Sequence, residues 1–274
     1  MKKLPIGLVI EGNSTSSTLL RLPAIASELG PVKSSSMPAA RRVSNFLKGG
    51  YGVAGYADLQ SARTILIRVP DSAADRVISE ISNAGLVWAN HCFVLCESWM
   101  PTERLEPLRR LGAGVASLVA LPTGQQKTFV LEGDSPSVRQ LRRIIDRANL
   151  DQADVRAIEL RPGTKHLLFA ATALCSPMPL PMLLMAQQLL RDCGLSGNQL
   201  LAVIEDMTNE MLAGFLKGAR NNRGGALADY MKPTHGGYWD RLDEANPEAS
   251  ATLRKILELS RDHMPPKLSR GQSA

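Results

Sequence analysis

Short apolar runs alternate with helix-period segments through the first 160 residues, and this alternation most constrains what the chain can fold into. Runs at Leu4–Ile10, Val32–Ser35, Thr64–Val69, Phe93–Cys96, Ala116–Leu121, Phe129–Glu132 and Asp154–Glu159 read as strands. Between them, Leu19, Leu22, Ile25, Ala26 and Leu29 recur at helical spacing, with Gly30 as the closing residue. Ala39–Leu47, Ser72–Ala84, Arg104–Leu111 and Ser135–Ala148 read as further helices, the last with Asp134 or Ser135 as its N-cap. The segment holding Gly49, Gly50, Gly52 and Gly55 reads as a loop or turn region. Buried strands alternating with helices predict a parallel sheet covered on both faces.

The second half has another character. From Lys165 onward no stretch has strand patterning. Leu167–Leu190 carries no formal charge and ends at Arg191-Asp192-Cys193-Gly194, a helix stop with glycine past the end. Ser196-Gly197-Asn198-Gln199 has capping-box spacing and opens a helix to about Lys217. Asn246-Pro247-Glu248 is a cap followed by a first-turn proline. The fold class expected is therefore α/β, a doubly wound and mostly parallel sheet, plus an all-α C-terminal domain. The boundary falls at Arg161-Pro162-Gly163, giving domains 1–160 and 161–264 and a flexible tail at 265–274.

Leu167–Leu190 is long enough to span a bilayer, but its interior reads Ser176-Pro177-Met178-Pro179-Leu180-Pro181. Three alternating prolines remove three backbone donors, which lipid cannot replace. A buried helix pair in a globular domain is the simpler reading, and it predicts a homodimer through the 167–217 helices. Met1-Lys2-Lys3 before Leu4–Ile10 resembles a signal peptide, but Pro5 and Gly7 interrupt the run, and Glu11 and Asn13 follow it. It reads as the first strand.

Composition narrows the function classes. A net charge of +6 on 274 residues is mild, and most basic residues stand beside acidic or apolar ones, so a nucleic-acid groove is not expected. Four cysteines are too few for a disulfide scaffold, and a cytoplasmic protein is expected. Cys92 and Cys96, separated by Phe-Val-Leu, read as buried thiols of a strand although His91 adjoins them; no second ligand pair follows, and no metal site is expected. The methionines at 178, 182, 185, 207 and 211 read as core. Gly-x-Ser-x-Gly is absent.

The turn after the first strand is where a doubly wound sheet holds a phosphate. Against the fingerprint G-x-G-x-x-G, this chain has Ile10-Glu11-Gly12-Asn13-Ser14-Thr15, which keeps only the middle glycine. Either an ordinary polar turn or a phosphate site of hydroxyls and amides fits these residues. After the second strand come Lys33-Ser34-Ser35-Ser36 and then Arg41-Arg42, with no acid for an adenine ribose. If a dinucleotide binds, NADP fits better than NAD; a solvated basic loop is the alternative.

The order of these motifs resembles NAD(P)-binding Rossmann-like oxidoreductases. Ile6-Gly7-Leu8-Val9-Ile10-Glu11-Gly12 is similar to their first strand and turn, and Ile65-Leu66-Ile67-Arg68-Val69-Pro70-Asp71 to their fourth-strand signature. Leu105-Glu106-Pro107-Leu108, Gly112–Leu121, Phe129-Val130-Leu131-Glu132-Gly133-Asp134 and Lys165-His166-Leu167-Leu168-Phe169-Ala170-Ala171 resemble a largely uncharacterised subgroup. The second half of that subgroup is similar to the C-terminal domain of 6-phosphogluconate dehydrogenase. The resemblance runs to about residue 225 and implies NADP or NAD bound by Glu11, Gly12, Asn13, Ser14, Thr15, Ser34, Ser35, Val69 and Pro70. It also implies hydride transfer to or from a small-molecule substrate at an interdomain cleft. Lys165 matches the lysine that protonates or polarises the substrate oxygen in related hydroxyacid dehydrogenases, a role suited to a partly desolvated ammonium.

The chain departs from that pattern in named places. Phe169 stands where the family has His, Pro177 near a usual Asn, and Val119-Ala120 where it has His-Pro. These departures carry the second reading, a catalytically degraded relative acting as a ligand-binding sensor or assembly protein. Two other histidines stand near candidate sites. His166 reads as an exposed first-turn residue or a general acid, and His235 lies in a Gly-flanked loop able to close over a cleft.

Overall fold

The structure is a computed structural model and describes residues 6–12, 17–121, 127–151, 155–218 and 236–263. Eight strands form one sheet: β1 (Ile6–Ile10), β2 (Leu29–Lys33), β3 (Tyr51–Val53), β4 (Thr64–Arg68), β5 (Cys92–Cys96), β6 (Gly114–Ala120), β7 (Lys127–Gly133) and β8 (Val155–Glu159). Their order is β3-β2-β1-β4-β5-β6-β7-β8. The first six pair in parallel, β7 runs antiparallel to β6, and β8 is parallel to β7. The order 3-2-1-4-5-6 is that of a dinucleotide-binding sheet, so the expected α/β, doubly wound and mostly parallel class is observed.

Register explains the two-sided core. Leu8, Leu66, Val94 and Ala116 stand side by side across four strands. They share one apolar layer with Ile25 of α1 (Pro23–Glu28), Leu47 of α2 (Met37–Leu47) and Leu141 and Ile145 of α5 (Ser135–Asp151). Val9, Ile67 and Leu95 lie in the opposite layer. That layer packs on Val77, Ile78 and Ile81 of α3 (Asp71–Ser82) and on Leu108 of α4 (Glu106–Arg109). Both faces of the central strands are dry, which is why they read as continuous apolar runs.

Three local expectations are corrected. The first helix does not run to Leu29: it spans only Pro23–Glu28, and Leu29 has ψ 134° and starts β2. Gly30 lies inside that strand instead of closing a helix, because Leu29 and Val32 are drawn into the core beside β1. The glycine segment is not all loop, since β3 lies within it. A Cβ at Gly52 would stand 2.9 Å from the amide nitrogen of Arg41, so glycine here permits α2 to lie directly on the edge strand. The helix expected at Arg104–Leu111 is a 3₁₀ turn at Thr102–Leu105 followed by α4.

The chain divides into two compact units, Met1–Pro177 and Met178–Ala274. The last strand ends at Glu159, whereas α6 (Lys165–Cys175) belongs to the first unit, so the change in secondary structure and the division do not coincide. The second unit contains α7 (Pro179–Asp192), α8 (Gly197–Gly218), α9 (Gly236–Ala245) and α10 (Pro247–His263). Asn246 caps α10 by accepting from the Ala249 amide at 3.0 Å, as its sequence position predicts. Arg254 pairs with Asp243 at 2.9 Å and lies over the Trp239 ring.

The apolar stretch after Lys165 also differs from expectation. Residues 165–192 are long and apolar enough to cross a membrane, but the helix breaks at 176–178, between α6 and α7. It was expected to be buried, yet Leu167, Phe169, Leu174, Met178, Leu180 and Leu184 are all at least half exposed within one chain. Met207 and Met211 of α8, expected in the core, are exposed too. Among the described residues nothing covers these apolar side chains. The tail at 265–274 lies outside the described residues.

Candidate active site

The turn after β1 is closed by packing. Gly12 has φ +65°, a conformation that side chains disfavour, and a Cβ there would lie 3.2 Å from Cγ of Pro70. The middle fingerprint glycine thus lets the β1 and β4 loops meet. The Glu11 amide donates to the Arg68 carbonyl at 3.3 Å, and the Glu11 carboxylate pairs with Arg76 on α3. Asn13, Ser14 and Thr15 lie outside the described residues. Past them, Ser17 is fully buried and accepts from the Leu20 amide, while the Leu19 amide donates to Glu97 Oε1 at 3.1 Å. Glu97 directly follows β5, with φ +51°, and also pairs with Arg68 Nε at 3.3 Å. A protein carboxylate therefore already sits on a main-chain amide of the first connection.

The two serines after β2 have different roles. Ser34 is buried, and its hydroxyl donates to the Ile10 carbonyl at 2.7 Å, tying the ends of β1 and β2 together. Ser35 is exposed. Lys33 donates to the Ser34 carbonyl and lies over the Tyr56 ring, so part of its reach is committed locally. Tyr56 donates to Glu80 at 2.7 Å; its burial and that partner push its phenol well above the ordinary value. Arg41 and Arg42 are exposed on α2.

Lys165 opens α6 and is 2% exposed. Its Nζ donates to the Met100 carbonyl at 2.7 Å. Burial lowers its pKa from 10.5 to about 8, against the opposing fields of Glu132, Asp71, Cys96 and Glu103. Such an ammonium gives up a proton close to neutral pH, the property that general acid–base work needs. His166 is exposed beside it. Phe169, one helical turn on, meets Trp99 edge-to-face at 5.2 Å, an aromatic contact where the resembled family has a titratable ring.

A continuous series of contacts joins the first turn to this lysine. Pro70 lies beside Gly12, where a Cβ would meet its ring, and Asp71 follows Pro70. The Ser98 hydroxyl donates to Asp71 Oδ1 at 2.5 Å and accepts from the Met100 amide at 3.1 Å. The Met100 carbonyl then receives Lys165. The structure thus brings Gly12, Pro70 and Lys165 into one connected region; Val69 is buried in the core and Ser35 is exposed after Ser34, which bonds to the end of β1.

Sequence reasoning missed Glu132, Ser98 and the Met100 carbonyl. Glu132 is 2% exposed in β7, and its Oε1 accepts from the amides of Thr164 and Lys165 at 3.0 and 3.3 Å. Its Oε2 accepts from Thr102 Oγ1 at 2.6 Å, and that hydroxyl contacts Ser117 at 2.8 Å. An acid following Phe129-Val130-Leu131 in an otherwise apolar strand was the available signal. The Met100 carbonyl carries no side-chain signal at all. Cys92 and Cys96 are buried thiols as expected, with Cys92 pushed up to about 11 by burial. Among the described residues no cluster of His, Cys, Asp and Glu suits a metal ion. His235 lies outside them, but Gly236-Gly237-Tyr238-Trp239, read with it as a loop, opens α9.

Comparison with solved structures identifies the fold. An imine reductase from Myxococcus stipitatus, a V8 variant in complex with NAD+, is similar with a TM-score of 0.69 at 16% identity, over 96% of this chain and 95% of that one. An imine reductase from Pseudomonas sp. gives 0.64 at 16% identity, over 94% and 92%. A reductive aminase from Aspergillus terreus, in complex with NADPH and ethyl-5-oxohexanoate, gives 0.60 at 14% identity, over 94% of each chain. No family model and no curated protein matches the chain. At these identities the likeness establishes the fold: a Rossmann-like sheet followed by a helical C-terminal region.

Proposed function

We propose that this chain is an NAD(P)-dependent oxidoreductase, with NADP the favoured cofactor, acting on a small-molecule substrate. The observation that carries the reading is Lys165. A buried lysine with its pKa lowered to about 8 is joined through Met100, Ser98 and Asp71 to the loop that packs on Gly12. The residues present suit a dinucleotide in two respects. Gly12 puts no side chain at its own position in the first turn, and Lys33 at the end of β2, Ser35 after it and Arg41 and Arg42 on α2 offer basic and hydroxyl groups without an acid. Gly12, Ser35 and Pro70 would hold the cofactor, which supplies or accepts the hydride. Lys165 would donate or polarise at the substrate heteroatom. Ser34 and Val69 support the loops from within.

The apolar faces of α6, α7 and α8 support a homodimer through residues 167–217, since exposed patches of this kind mark interaction surfaces. We place the protein in the cytoplasm on its cysteine usage.

The test is a titration of purified protein with NADPH and with NADH, followed by cofactor fluorescence and thermal midpoint. Ligand at 100 times its Kd stabilises by about 2.7 kcal/mol. No response to either cofactor overturns the reading. The second reading, a ligand-binding relative without turnover, is favoured by one contact: Glu97 already occupies the Leu19 amide. Cofactor binding without reduction of any keto acid, imine or aldehyde in a panel would select it.

A further inference from the structure

We propose that Glu132 is the positioning residue for Lys165: its carboxylate grips the two main-chain amides that open α6 and faces the ammonium with opposite charge. The inference rests on the role given to Lys165 above, but its test needs neither cofactor nor substrate.

The first turn of a helix has amides without intrahelical partners, and these are usually met by a side chain of the N-cap residue. Thr164 occupies that position but makes no side-chain cap; its hydroxyl donates backwards to the Arg161 carbonyl at 2.7 Å. The Lys165 amide goes instead to Glu132, 33 residues earlier in the chain, and the Thr164 amide is shared between Glu132 Oε1 at 3.0 Å and the Arg161 carbonyl at 3.2 Å. The start of α6 is thus tied to the sheet through Glu132 as well as to its own loop through the Arg161 carbonyl.

The carboxylate is itself aimed. Glu132 pairs with Ser117 across β6 and β7. With the Thr102 hydroxyl donating to Glu132 Oε2, Thr102 can only accept from Ser117, so the hydrogen bonds run Ser117 to Thr102 to Glu132. All three side chains are buried. One oxygen is held by a hydroxyl relay and the other by two amides, which leaves the carboxylate little freedom to rotate.

The charged and titratable groups facing Lys165 come from several elements: Glu132 on β7, Asp71 on α3, Cys96 on β5 and Glu103 in the 3₁₀ turn. Of these, Glu132 opposes the effect of burial most strongly. Asp71 and Glu103 are exposed and share their fields with water, whereas Glu132 is not.

The experiment is a pH titration of lysine side-chain signals in protein labelled with 13C-lysine, with the Lys165 signal assigned by its loss in Lys165→Arg. Wild type should titrate near 8. In Glu132→Gln the midpoint should fall by about one unit or more, a tenfold weaker proton affinity. Glu103→Gln should move it less. A folded Glu132→Gln protein with the wild-type midpoint overturns the proposal. If that variant does not fold, the wild-type protein still decides. In wild-type protein labelled with 13C-glutamate, with the Glu132 signal assigned from its loss in Glu132→Asp, the side-chain carboxyl carbon of Glu132 must show an inflection at the pH where Lys165 loses its proton, and a flat trace there overturns the proposal equally. NADPH binding that fails while these titrations succeed would remove the oxidoreductase reading and leave the Glu132–Lys165 relation standing.

Discussion

The Nζ of Lys165 lies 2.7 Å from the carbonyl oxygen of Met100, so a buried ammonium is met by a main-chain dipole. This arrangement costs stability and has a defined pH dependence. The folded pKa of about 8 lies below the unfolded 10.5, so between these values the unfolded chain binds more protons and stability rises with pH. Below about 8 the full cost is present. Lys165→Met should therefore be more stable than wild type by up to about 3 kcal/mol at pH 7. The advantage should shrink as pH climbs from 8 towards 10.5, and denaturant melts across that range check it. A pH-independent difference would contradict the assignment.

If a reaction is found, Lys165→Ala should lower kcat by about 100-fold or more while leaving cofactor Kd within a few-fold. Equal losses in turnover and cofactor affinity would remove Lys165 from the chemistry.

Ser34 and Ser35 should separate cleanly. Ser34→Ala removes a buried bond to the Ile10 carbonyl and strands that acceptor, which should cost about 1–3 kcal/mol in urea unfolding. Ser35→Ala, on the surface, should change stability by less than about 0.5 kcal/mol but weaken NADPH binding. A neutral Ser34→Ala would show that the two strand ends are not tied as described.

Arg41 and Arg42 stand on the exposed side of α2, following the second-strand loop. Replacing both with serine should weaken NADPH about tenfold or more and leave NADH nearly unchanged, because only the 2′-phosphate differs. Equal weakening of both cofactors would assign the pair a general role.

The dimer is tested by sedimentation at micromolar concentration, where the wild type should run as two chains. Lysine at Phe215 and at Leu216, which are 65% and 67% exposed, should shift it towards one. A monomeric wild type would refute the proposed interface.

The sequence showed most of the sheet because the strands of its centre are buried on both faces. β4, β5 and β6 are found within two residues of where periodicity puts them. β3 was hidden by its own packing: the glycines that admit α2 at Gly52 look like punctuation when read alone. The shortened α1 was hidden because Leu29 serves strand and helix periodicity equally, and core burial chose the strand. At the site, Lys165 and Gly12 were legible by motif. Glu132 was not, because its partners are amides 32 and 33 residues away and a main chain leaves no trace in a pattern of side chains.

That last point has a consequence for change at this position. Glu132 clasps the peptide bonds of residues 164 and 165, whatever side chains they carry. The helix start therefore behaves as a socket. Another residue can be fitted at 165 without moving the helix, so the chemistry there can be altered by a single substitution while the scaffold around it stays in place.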